Sequence, residues 1–342
     1  MSGVAPALGA PPPSDAGGAG GAGGAGGEPR DPAHRARPAT RLDRLRARRG
    51  WRTLLGSVVP VSWAVTLLLV PYVLLLAQSF WRLRDGVITH ELTTENYRRL
   101  FGTPLYPATI LYSAGVALRV TVISLALSYP LAYVLAFKVR RHRTLMYMAV
   151  IIPLWVSYLV RAYAWKIILG QDGILNGLLL SVGLIRAPLT VLLYSTAAVV
   201  VALTHIYTPF TLMPIYAVLD AIPVSLREAS QDLYAGRWRT WLHVTLPLSL
   251  PGVVAGCTFA FVLSMGDFLA PQLLGGNDSA LMVSNLVWSL FGVAFNWPLG
   301  AAVSVVMLAL TLALLAVAGA VEARGRYGQV ATGAVAEYAG PI

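Results

Sequence analysis

From Leu54 to Phe80 the chain runs without a charged residue. Inside a bilayer no water is available for a free backbone N–H or C=O, so such a run must close its hydrogen bonds internally, as a helix does. About 20 mostly apolar residues of helix cross a hydrocarbon core of roughly 30 Å. Comparable apolar runs recur at about 110–137, 144–168, 189–218, 248–271 and 298–321. The expected fold class is therefore all-α integral membrane, with about six transmembrane helices. The composition agrees: 56% of residues are hydrophobic and 12% charged, against about 25% charged in soluble domains. A single cysteine, Cys257, excludes intrachain disulfides and cysteine-rich metal sites.

Residues 1–50 form a Gly/Ala/Pro-rich and then basic tail ("GGAGGAGGAGGEPRDPAHRARPAT" followed by "RLDRLRARRG") with almost nothing to bury, and they are expected to be disordered. The membrane domain follows over 51–325, and a C-terminal tail over 326–342. In a soluble chain the net charge of +11 would point to nucleic acid. Here its placement sets topology, and no nucleic-acid partner is expected. With the N-terminus inside, about 18 Lys and Arg fall in the tail, the "KVRRHR" loop, the segment after the fourth span and the C-terminus, against about 5 outside. The positive-inside rule therefore makes both termini cytoplasmic.

Two external segments follow from that topology. The larger, 81–108, carries both signs of charge. The other, 272–297, contains "ALMVSNLVWSLFGVAF", too short to span with confidence and read as an interfacial or re-entrant helix.

Between spans four and five lies "REASQDLYAGRWRTWLHVTLPLSLPG", residues 227–252. Its first part, Arg227 to Leu233, is helix-compatible and carries small Ala229 and Ser230. After a break near Gly236, "RWRTWLHV" resumes helical character. Two short helices joined by a turn are expected on the cytoplasmic face.

The spacing in this cassette resembles the signature of binding-protein-dependent ABC importer permeases: Glu-Ala-Ala, three residues, Gly, nine residues, Ile-x-Leu-Pro. Here Glu228, Ala229 and Ser230 are followed at matching distances by Val244, Leu246 and Pro247. Tyr234 stands at the Gly position, with Gly236 two residues on. A left-handed conformation costs a non-Gly residue ~1–2 kcal/mol, so the turn is expected at Gly236. The resemblance implies a coupling helix docking on an ATPase subunit, with Arg227, Glu228 and Asp232 making rim contacts. Further stretches ("ENYRRLF", "SYPLAYVLA", "VSYLVRAYAWKIILGQDGILN", "YTPFTLMPIYAVLDAIP", "MGDFLAPQLLGG", "NWPLGAA") resemble spermidine/putrescine-type permeases over roughly residues 54–322. That resemblance implies three protein partners: ATP-binding cassette ATPase subunits, a second permease subunit and an extracytoplasmic substrate-binding protein. The location it implies is the plasma (inner) membrane.

Within the spans, Asp267 is the one acidic residue well inside hydrocarbon, and Arg161 is its potential partner. The pair either serves a substrate pathway or holds helices together. Trp155 and Tyr158, three apart on one helical face, would reach a pathway through cation–π contacts or belong to an interfacial aromatic belt. Lys166 snorkels outward. Pro209 and Pro214 should locally break the hydrogen bonds of the fourth span, a change tolerated where helices line a cavity or pack tightly. His205 and His243 are isolated polar residues, and no metal constellation is present.

Enzyme readings fail on particular absences. The only lysines are Lys138 after Phe137 and Lys166 after Trp165, so the Gly-Lys-Ser/Thr of a phosphate loop is missing. No cofactor is expected. The resemblance implies a permease subunit of an ATP-driven importer with a polyamine as solute; the alternatives are the same importer for ferric iron, an anion or an opine, or an intramembrane enzyme or membrane scaffold. The topology predicts that a cysteine at Ser279 is labelled from outside intact cells and that Arg141→Cys is not. Efficient external labelling at 141 would reverse the orientation.

Overall fold

A computed structural model describes residues 41–139, 141–190, 192–233, 236–275 and 281–338. The tail expected over 1–40 lies outside the described residues. Helix α1, Arg41–Gln78, starts within the basic run, where Arg, Leu and Ala are all good helix formers. The chain divides inside α1, between Val65 and Thr66, and the described part of the first unit is α1 alone.

The charged segment after α1 folds locally. Strands β1 (Arg82–Arg84) and β2 (Val87–Thr89) pair antiparallel around Asp85 and Gly86, whose φ values of 50° and 80° suit the two-residue turn of a hairpin. Helix α2, Glu95–Gly102, follows. Asn96 Nδ2 ties it back by donating to the carbonyls of Ser79 (2.9 Å) and Trp81 (2.8 Å). Helix α3, Leu105–Phe137, is the second span.

The third span differs from the expected single helix over 144–168. Helix α4 (Arg143–Ile151) passes into a 3₁₀ turn (Ile152–Trp155), and α5 (Tyr158–Leu169) restarts beyond it. With α6 (Ile174–Ser181) added, the two legs meet at 93°. The cause is local: Val156 and Ser157 are both extended, with ψ of 134° and 136°, so no helical hydrogen bond carries through. Trp155 and Tyr158 therefore do not share a helical face.

Helix α7, Thr196–Ala221, starts at Ser195, whose Oγ accepts from the N–H of Ala198 (3.1 Å). It stays helical through Pro209 and Pro214, and the two carbonyls that lose helical partners to the prolines are tolerated within the packing. Helices α8 (Val224–Asp232) and α9 (Arg237–Thr240), a π turn (Trp241–Thr245) and α10 (Leu246–Gly266) follow. Then come α11 (Leu269–Leu274), α12 (Val283–Gly292) and α13 (Trp297–Tyr338). Helix α13 thus continues well past residue 321, through a segment without proline. Among the described residues five helices are long and apolar enough to cross a membrane, six if the bent pair counts as one span. Helix α12 is too short to cross, and Val283, Ser284 and Asn285 are buried against the helices around it.

The centre of the second unit is α7. Both α3 and α10 pack along it, and 67% of its most apolar stretch is buried, against 33% for α3. Leu203, Ile206, Leu212, Ile215 and Leu219 are fully buried, recurring at the three- and four-residue steps of one helical face. Close approach to α10 depends on Gly252 and Gly256. A Cβ on Gly252 would stand 2.7 Å from the Pro214 carbonyl oxygen, and one on Gly256 2.6 Å from that of Thr211. Their four-residue spacing is the small-residue pattern by which membrane helices bring backbones together. Gly256→Leu should destabilise the protein by about 1–3 kcal/mol through overpacking, read as earlier thermal unfolding in detergent. Gly319→Ala, where an added Cβ meets nothing within 4 Å, should leave the transition in place.

Candidate functional site

The cassette folds as two short helices. Helix α8 leaves α7 through Ile222 and Pro223, where proline's fixed φ suits a helix start. Glu228, Ala229 and Asp232 are exposed. Ser230 turns inward instead: its Oγ donates to Oγ1 of the buried Thr240 (3.1 Å), fastening α8 to α9. Arg227 belongs to α8, but its side chain, like the whole of Tyr234, lies outside the described residues. Gly236 is the first residue of the turn into α9, with φ −57° and ψ 158°. That conformation is open to any residue, so the left-handed turn expected at Gly236 is not formed there.

Pro247 lies in the first turn of α10, inside a continuous helical run from Arg237 to Gly266. Its missing N–H is accommodated beside the π turn at Trp241–Thr245, where the hydrogen-bond ladder is already shifted. Leu-Pro here enters a span and does not terminate a helix.

Asp267 sits where α10 ends. Its backbone is extended and the residue is 7% exposed. Oδ2 accepts the hydroxyls of Tyr158 and, at 2.6 Å, Tyr207. Oδ1 accepts the N–H groups of Leu269 (3.0 Å) and Ala270 (3.1 Å), capping the start of α11. The Asp267 carbonyl accepts Ser284 Oγ of α12 at 2.6 Å. The residue therefore joins α5, α7, α11 and α12. A buried carboxylate is costly unless hydrogen-bonded, and here four donors meet it.

Arg161 is not its partner. The ion pairs among the described residues join Arg82 to Glu91 and Glu95, and Arg143 to Asp220. The Arg161 guanidinium lies 5.8 Å from the Tyr158 ring centroid, and its Nε and one Nη are buried without an acceptor among the described residues. The reason is competition: two tyrosines and a helix start already fill the carboxylate's acceptor positions. Trp155 is 87% exposed, on the far side of the bend from Tyr158.

One further residue of the site, Tyr207, carries no local sequence signal. Tyr207 supplies a hydroxyl to Asp267 from 60 residues away, and no local spacing marks such a pair. Trp165 donates its indole N–H to His205 Nδ1 at 3.2 Å. Both border a cavity of about 490 Å³ between α3, the bent pair and α7, together with Thr204 and Thr208.

Residues 128–327 match the family described as binding-protein-dependent transport system inner membrane component. The chain is 36% identical to a spermidine/putrescine transport system permease protein of Haemophilus influenzae over 256 residues, covering 74% of this chain and 88% of that one. The Escherichia coli protein of the same description is 34% identical over 251 residues, covering 73% and 90%. A solved bacterial alginate ABC transporter, in complex with an alginate pentasaccharide-bound periplasmic protein, superposes with a TM-score of 0.65. It is 16% identical and covers 79% of this chain and 93% of that one, a likeness of fold.

Tyr207→Phe removes one hydrogen bond to a charged group and should lower stability by about 1.5–3 kcal/mol, measured by thermal unfolding in detergent. Asp267→Asn should also destabilise, since it puts an amide N–H among donors. Adding Arg161→Gln to Asp267→Asn should restore neither stability nor activity; recovery in the double variant would re-establish the ion pair.

Proposed function

Because the chain belongs to the family of binding-protein-dependent transport system inner membrane components, a multi-pass permease subunit and not an enzyme, we propose that it forms the translocation pathway of an ATP-driven polyamine importer. The observation that carries this reading is the 34–36% identity to spermidine/putrescine permeases across most of both chains. Its partners are ATP-binding cassette ATPase subunits, a second permease subunit and an extracytoplasmic substrate-binding protein. Both termini and the cassette face the cytoplasm, in keeping with the bias of Lys and Arg.

In this reading the cassette couples ATP hydrolysis to the spans. Exposed Glu228, Ala229 and Asp232 offer a small, acidic docking surface, and Ser230 holds it against α9. Arg227, Tyr234, Gly236 and Pro247 complete the coupling element. The polyamine contacts aromatic groups near Tyr158 and Trp155, while Asp267 acts through position: its acceptors are already engaged.

One observation favours a second reading. Arg161 keeps two buried guanidinium nitrogens without acceptors among the described residues, and a cation with no carboxylate beside it in a pathway suits an anionic solute better than a polyamine. The deciding experiment is ATP-dependent uptake of labelled spermidine and putrescine by the four-component importer in vesicles. Saturable uptake supports the polyamine reading; failure with both, alongside uptake of an anion, replaces it.

Glu228→Lys tests the coupling element. Like charge brought against a surface built for an acid costs up to several kcal/mol. The permease should insert normally, while ATPase co-purification falls or hydrolysis proceeds without transport. Normal values for both would remove the cassette from coupling.

A further inference from the structure

We propose that the cleft between the end of α3 and the α9–π segment is a binding site for an anionic phospholipid, headgroup on two cations and acyl chain along an aromatic wall. The cleft has a volume of about 760 Å³. Its wall is aromatic. Trp238 and Trp241 stack at 4.7 Å between ring centroids with 26° between planes, and Tyr129 meets Trp241 edge-on at 6.0 Å. Tyr133 and Phe137 of α3 continue the wall, edge to face at 5.1 Å. Tyr129 is fixed in turn by its hydroxyl against Ser249 Oγ (3.1 Å).

The charges sit at one edge. Lys138 is the first residue beyond α3, and Arg237 opens the apolar helical run to Gly266. Both are exposed, and no carboxylate is among the residues lining the cleft; the nearest acids along the chain, Glu228 and Asp232, belong to α8.

That arrangement selects a lipid. Both cations stand at ends of adjacent spans and so at one membrane boundary, where Lys and Arg extend their charged ends toward headgroups and tryptophan rings prefer to lie. Basic pockets between helix ends attract anionic lipid heads. The exposed face of Trp238, 69% accessible, is wide enough for an acyl chain. The π turn at Trp241–Thr245 adds a residue to the helix at this point, a device common at functional sites.

The test uses the assembled importer in phosphatidylcholine vesicles containing brominated-chain phosphatidylglycerol or, in parallel, brominated phosphatidylcholine. The chain has 9 tryptophans, so the share of fluorescence from the cleft is the difference between wild type and the Trp238→Phe, Trp241→Phe variant. That share should be quenched with roughly fivefold preference for phosphatidylglycerol. Lys138→Gln with Arg237→Gln should abolish the preference, while Lys138→Arg with Arg237→Lys keeps it, which separates lost charge from lost fold. Equal quenching by the two lipids overturns the proposal. So does loss of the preference on adding inorganic phosphate, which would make the cleft a free-anion site. Shielding from both lipids overturns it as well, since a partner subunit would then cover the cleft.

Discussion

A buried carboxyl group inside a bilayer protein is costly unless hydrogen-bonded, and Asp267 meets two hydroxyls and two backbone N–H groups. The consequence is geometric. The four donors come from three places: Tyr158 from the first turn after the bend, Tyr207 from the middle of α7, and Leu269 and Ala270 from the start of α11. Meeting one small group, they fix where the bent third span returns toward α7 and where α10 stops. Ser284 on the Asp267 carbonyl, and Asn285 on the Phe268 carbonyl at 2.8 Å, bring α12 to the same point. A helix too short to span is thereby held inside the protein.

The α7–α10 contact works by the opposite means, removing atoms. Gly252 and Gly256 let α10 approach the carbonyls of Pro214 and Thr211 more closely than any Cβ would allow. In lipid, where apolar side chains gain nothing by leaving hydrocarbon, such backbone proximity and its dispersion contacts hold helices together. Polar ties supplement it sparingly: Ser128 Oγ donates to the Thr208 carbonyl at 3.0 Å, joining α3 to α7.

How much of this was legible depended on whether the cause was local in sequence. Run length located the spans, because the demand for internal hydrogen bonding applies to every residue alike. The fold class and the two-helix cassette followed from the same kind of information. The bend at Val156–Ser157 did not, since β-branched and serine residues also sit in unbroken membrane helices and only the tertiary setting extends them here. Asp267 was recognisable as unusual, yet its partners were misjudged: opposite charge suggested Arg161, whereas the structure uses neutral hydroxyls 109 and 60 residues away. The Gly252–Gly256 spacing was present in the sequence and carried the α7–α10 contact.

Those elements are mechanically in series. From Arg237 to Gly266 the chain is helical without a break, a rod of about 45 Å at 1.5 Å per residue, joined to α8 at one end through Ser230 and Thr240 and ending against Asp267 at the other. The π turn gives that rod its irregularity close to the cassette, not at its middle. If α8 is the coupling helix, a displacement there would pass along a stiff helix that touches α7 backbone to backbone at Gly252 and Gly256. At its far end the rod meets a carboxyl group hydrogen-bonded to α5, α7 and α11. Any tilt of α10 must either carry α5, α7 and α11 with it or break hydrogen bonds to a buried charge, and the second is the more costly. The same carboxyl group thus ties the ends of α5, α10 and α11 to the middle of α7.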